Sequence, residues 1–155
     1  MNKNFIALIK SGFDITSDLQ PKFWDFGLTF RNMISKAKNR IYIASYVAYS
    51  EFPWFKDLKL IYNKKPNLDL RILIDGEATP DIEIKKLPIK NIRKFTKGRL
   101  HMKVIIVDSC KCIIGSANLT YSASERNYEL GVYLEGQECT YVEDLFLYLW
   151  DISKQ

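Results

Sequence analysis

Two apolar runs late in the chain, Leu100 to Val107 and Cys112 to Ser116, are separated only by Asp108 to Lys111. So short a link can join antiparallel strands, whereas parallel strands need a crossover of a dozen or more residues. The sequence therefore fixes a tight β-hairpin, and the rest of the chain must supply the sheet around it. Side chains two apart on a strand share a face, so His101 and Lys103 point one way while Met102, Val104 and Ile106 point the other. Ser116 and Asn118 form a second such pair. With Ser109 and Cys110 as the central turn residues, His101 falls opposite Asn118 and Lys103 opposite Ser116. Four polar groups then converge on one face. A register one residue different would put the two pairs on opposite faces.

The other elements follow from periodicity. Phe23 to Lys38 has apolar residues at helical spacing and ends in Lys36, Lys38 and Arg40, cations that suit a helix C-terminus. Trp24, Phe26 and Phe30 read as its buried face. Ile41 to Ala48 reads as a strand. Pro53 precedes a short helix, Trp54 to Asn63. Asp69 to Asp75 is a second strand, Thr79 to Lys90 reads as irregular, and Ile92 to Thr96 and Tyr128 to Leu134 are further strands. Cys139 to Ile152 carries apolar residues near a period of 3.6 and closes the chain as an amphipathic helix. Residues 1–20 fit a short strand, a turn of helix or an N-terminal extension. The 155 residues are the size of one domain. The expected fold is α/β, a single domain over residues 1–155 with a mixed β-sheet flanked by helices.

Charge narrows the partner. The net charge is +5, yet the segment from Lys85 to Val107 holds eight cations and no acid: Lys85, Lys86, Lys90, Arg93, Lys94, Lys97, Arg99 and Lys103. A local basic stretch beside polar residues suits a polyanion such as nucleic acid. Lys97 and Arg99, next to His101, are the candidate substrate-binding cations. Tyr46, Tyr49, Phe52 and Trp54 have three readings: stacking on bases, core packing or a dimer interface. Cys110, Cys112 and Cys139 are an odd number of cysteines without zinc-site spacing, and there is one histidine, so no metal site is expected. Free thiols imply a reducing cytoplasm. No apolar run suits a signal peptide or a membrane span, so no integral membrane association is expected.

Imidazole can act as nucleophile or general acid–base near neutral pH. A lysine ammonium and an asparagine amide can hold the phosphate oxygens on which transition-state charge builds. The order His101, Lys103, Asp108, Gly115, Ser116, Asn118 resembles the signature of the phospholipase D superfamily: His-x-Lys, four residues, Asp, six residues, Gly-Ser-x-Asn. Arg126, Asn127, Tyr128 and Glu129, before the strand ending at Leu134, resemble the acidic element that follows it. In length the chain is similar to the family's small bacterial endonucleases, which carry one motif per chain and act as dimers.

The resemblance implies roles. His101 is the nucleophile that forms a phosphohistidine, and Lys103 and Asn118 bind the phosphate, supported by Ser116. Glu129 orients a histidine, while Asp108 and Gly115 are structural. No metal or other cofactor is required. The expected function is a metal-independent endonuclease on DNA or RNA. It would work as a homodimer with a two-fold-shared site, because one chain has one imidazole. A phospholipase D-type hydrolase of phospholipid head groups and a non-catalytic nucleic-acid-binding domain are the alternatives.

Overall fold

The computed structural model describes residues 4–12 and 22–154. In chain order they form β1 (Phe5–Lys10), β2 (Trp24–Asp25), α1 (Phe26–Ser35), β3 (Arg40–Ser45), α2 (Phe55–Lys64), β4 (Asp69–Asp75), α3 (Asp81–Lys86), β5 (Ile92–Phe95), β6 (Val104–Val107), β7 (Lys111–Gly115), α4 (Tyr121–Glu125), β8 (Leu130–Glu135) and α5 (Glu138–Asp151). The strands form one mixed sheet of order β2-β1-β8-β7-β6-β3-β4-β5. β3, β4 and β5 run parallel, while β6 is antiparallel to β3 and to β7, and β8 to β7 and β1. This is the expected α/β architecture.

Alternation along β3 builds two cores. Ile41 and Ile43 pack with Phe30, Ile34 and Leu58 beneath α1 and α2. Tyr42 and Ala44 pack with Phe146 and Trp150 of α5 on the opposite face. Phe30 and Phe146 have no exposed surface, and burying each contributes about 2–3 kcal/mol of transfer free energy.

Four local features differ from the sequence expectation or sharpen it. The segment read as irregular contains α3, which Pro80 initiates: its fixed φ suits a first turn, and its carbonyl accepts the N–H groups of Glu83 (2.9 Å) and Ile84 (3.2 Å). Trp24 is not on the buried face of a helix. It lies in β2, 44% exposed, against Phe5 and Tyr133. Phe52, Trp54 and Phe55 are core residues packed around Phe30, which leaves them free neither to stack on bases nor to form an interface. Residues 5–10 are strand, with Ile9 fully buried between β2 and β8; the remainder of 1–20 lies outside the described residues, apart from Asn4, Ser11 and Gly12.

Candidate active site

The hairpin forms, but its register is one residue from that expected. Val107 pairs with Lys111 and Val104 with Ile114, so Lys103 faces Gly115 rather than Ser116. The cause is the turn. Asp108 and Ser109, not Ser109 and Cys110, are its central residues, with φ of 52° and 60°. Aspartate tolerates this left-handed region better than most residues. Its carboxylate also accepts the N–H groups of Lys38 (2.7 Å), Asn39 (2.8 Å) and Arg40 (3.0 Å), which pins the turn to the start of β3. Burial pushes the Asp108 carboxyl up, but the three backbone donors outweigh it and hold it below the usual carboxylate range. β6 is four residues long, so Asp108 sits about 13 Å or more from His101. That placement suits a structural role.

Asp108→Ala is expected to cost about 2–4 kcal/mol, since it strands three donors and puts alanine at positive φ. Chemical denaturation measures this as a lower midpoint. Because the folded pKa is depressed, Asp108 contributes fully above about pH 4 and less as pH falls through the lowered value.

At the other end of the sheet, side chains gather through irregular backbone beyond the strand ends, not through cross-strand pairing. His101, Met102 and Lys103 precede β6 and are not part of the ladder. Lys103 Nζ lies 3.0 Å from His101 Nδ1 and 3.2 Å from Nε2, and donates to the His101 carbonyl at 2.8 Å. The near-equal distances to both ring nitrogens put the ammonium over the ring rather than on the in-plane lone pair of either one. Partial burial pushes the Lys103 ammonium down, and the Glu129 carboxylate opposes that shift.

Glu129 accepts the Ser116 hydroxyl proton and the Asn127 amide (3.2 Å). Ser116 in turn accepts the Leu130 N–H at 3.2 Å. Lys103, Ser116 and Glu129 thus line one cleft. Gly115 is needed there because β8 passes so close: a Cβ would lie 2.8 Å from the Leu130 carbonyl oxygen and 2.9 Å from Gly131 Cα. Asn118 turns its amide oxygen toward Ser45 Oγ (3.3 Å) and the Val47 N–H (3.5 Å). Its Nδ2 donors then have no partner among the described residues. Ser45, buried at the end of β3, also accepts the Leu119 N–H (3.1 Å) and so fixes the Asn118 segment.

The basic stretch is not one continuous face. Lys86 pairs with Glu83 and Lys94 with Asp81, while Arg93 lies on Trp150 beside α5. The reason is geometric: β5 alternates its side chains between the two faces of the sheet edge. Lys97 is exposed in the β5–β6 loop. Arg99 reaches the site, but it is engaged by Glu77, by Asp75 (3.5 Å) and by the Tyr46 hydroxyl (2.7 Å).

Sequence reasoning missed Ser45, Asp75 and the contact of Tyr46 with His101. Asp75, which is 1% exposed, accepts the Leu100 N–H at 2.8 Å and so holds the segment leading into His101. A carboxylate ending a strand before Gly76 was the only available hint.

A family model described as "Cardiolipin synthase, PLD-like domain" matches residues 30–150. The chain belongs to the phospholipase D superfamily. It is 32% identical to a phospholipase D of Rickettsia conorii over 121 residues, 69% of this chain and 54% of that protein. It is 28% identical to the DISARM protein DrmC of Bacillus paralicheniformis over 129 residues, 77% of this chain and 53% of that one. The chain therefore spans about half the length of these relatives. The phospholipase D family member Nuc of Salmonella typhimurium has the same fold, with a TM-score of 0.77 at 19% identity, over 98% of this chain and 97% of that one. In this phospholipase D-like chain His101 and Lys103 precede β6 and Ser116 and Asn118 follow β7, while Asp108 is in the turn between the strands and Gly115 ends β7. Among its described residues no helix is long and apolar enough to cross a membrane, and no three His, Cys, Asp or Glu side chains are grouped as a metal-ligand set.

Proposed function

We propose that this phospholipase D-like chain acts as an endonuclease on DNA or RNA through a phosphohistidine, at a site completed by a second copy of the chain. The observation that carries the reading is the Lys103 ammonium against the imidazole of His101, with Lys103 also lining the cleft that holds the Ser116–Glu129 pair. A His101 ring nitrogen attacks phosphorus. The P–N bond forms as the bond to the leaving oxygen breaks, and that oxygen takes a proton. Water then attacks phosphorus, giving its proton to the group that protonated the leaving oxygen, and the P–N bond breaks as the imidazole leaves. Lys103 and Asn118 hold the non-bridging oxygens throughout. Glu129 orients an imidazole, either its own or one from the facing subunit.

The leaving oxygen needs an acid, and the chain has one histidine. A two-fold axis at the site supplies the second imidazole. The surface for it is the part of the α5-bearing face of β1, β7 and β8 that α5 leaves uncovered, since Cys112 and Leu134 on the same face pack against α5. Ile6 (64% exposed), Leu8 (46%), Ile114 (37%) and Leu130 (59%) share that face by register. The patch runs directly into the site, because Leu130 follows Glu129 and bonds Ser116.

The family description as a cardiolipin synthase domain supports a second reading, transfer or hydrolysis of phospholipid head groups by the same chemistry. Incubation with plasmid, single-stranded DNA, RNA and phospholipid vesicles, each with excess EDTA, separates the two. We expect nucleic acid to be cut and the rate to survive EDTA, because Lys103 and Asn118 supply the charge stabilisation. Binding should weaken with salt, less steeply than eight free cations would dictate, since Lys86, Lys94 and Arg99 are already ion-paired. Cleavage of vesicles alone, or loss of activity in EDTA that magnesium restores, contradicts the proposal.

A further inference from the structure

The candidate nucleophile sits in an exposed loop, yet its ring is not free. The Tyr46 ring centroid lies 4.8 Å from that of His101, with the planes 53° apart. Lys103 Nζ touches the imidazole from its own side and lies 5.6 Å from the Tyr46 centroid. The phenol oxygen of Tyr46 accepts from Arg99 Nη2 at 2.7 Å, and Arg99 is anchored on Glu77 and on the buried Asp75. Asp75 also holds the Leu100 N–H, one residue before His101. Tyr46 directly follows Ser45, whose hydroxyl fixes the Asn118 segment. The ends of β3 and β4 therefore brace the loop from beneath.

We infer that Tyr46 is a positioning residue for His101, its aromatic ring setting the imidazole's rotamer and Arg99 locking that ring in place through the phenol oxygen. The inference rests on the proposed role of His101. Among the described residues the imidazole has one polar side-chain partner, Lys103. A single flexible ammonium fixes position but not the tilt of the ring, whereas an aromatic face at 4.8 Å restricts both χ angles. In-line attack needs the ring nitrogen aimed at phosphorus, and misplacement by about 1 Å can cost about 10²-fold in rate. The ring should matter more than the hydroxyl.

The test uses Tyr46→Leu and Tyr46→Phe in the full chain, with two readouts. The first is NMR of the imidazole, unambiguous because His101 is the only histidine. In the wild type its ring protons should show the ring-current displacement of a nearby aromatic. Tyr46→Leu should abolish that displacement and Tyr46→Phe should keep it. The second is kinetics on a p-nitrophenyl phosphodiester. Tyr46→Leu should lower kcat by about 10- to 100-fold with little change in KM, and Tyr46→Phe should restore kcat to within about threefold. Imidazole resonances that do not respond to Tyr46→Leu, or equal kcat losses in both variants, overturn the inference. An inactive wild type that keeps the NMR pattern instead contradicts the proposed function and leaves the ring contact established.

Discussion

His101→Ala is expected to lower turnover of any phosphodiester substrate by about 10⁴-fold or more, at least about 5 kcal/mol of barrier, while leaving the unfolding midpoint nearly unchanged. The two halves of this expectation have different causes. The imidazole is exposed and belongs to neither core cluster, so its removal opens no core cavity. Chemically it has no substitute, because no other histidine exists in the chain. Lys103 and Asn118 remain and can still bind phosphate, so affinity for an uncleaved oligonucleotide should fall far less than kcat. Rates with and without substrate saturation, set beside a denaturation curve, separate these outcomes. A variant that keeps most of its activity would mean that water or Lys103 does the work assigned to the ring.

The second large effect is expected at a residue that makes no contact with the chemistry. Leu8 lies on β1, paired with Val132 and 46% exposed on the apolar face of β1, β7 and β8. In a two-fold dimer built on that face, Leu8→Glu places two carboxylates in an apolar interface, one from each protomer. Each costs several kcal/mol unless paired. The dimer should dissociate at concentrations where the wild type is intact, with activity falling in step and returning at high protein concentration. The fold should survive, because a half-exposed edge position tolerates glutamate. Sedimentation at several concentrations, run beside the assay, reads both. Mixing wild type with excess His101→Ala should poison activity in proportion to mixed dimers. A monomer with full activity at assay concentration contradicts the shared site.

Some of this was legible in the sequence because it rests on short-range rules. The hairpin followed from a link too short for a crossover, α5 from apolar spacing over fourteen residues, and β4 from a bounded β-branched run. The register did not follow. It depends on which residues take positive φ, and at Asp108 that conformation is held by the N–H groups of Lys38, Asn39 and Arg40, at the start of the neighbouring strand β3, on its carboxylate. Nothing within residues 100–118 carries that information. The basic stretch misled for a similar reason: composition along the chain cannot show that Arg93 turns to Trp150 while Lys94 turns to Asp81. Glu129 was found through the resemblance to the family, but its partner Ser116 and the bracing of His101 by Tyr46 are contacts between segments 13 and 55 residues apart. Such contacts appear only once the sheet order is known.

The central claim is that a nitrogen of His101 forms a bond to phosphorus. The direct measurement is to quench the wild type during turnover of a substrate labelled at the scissile phosphate and to identify the labelled residue. The account predicts a phosphate that is labile in acid and stable in base, carried by the peptide containing His101 and absent from His101→Ala. An acid-stable label on a serine, or no covalent label at any time during rapid turnover, would contradict it.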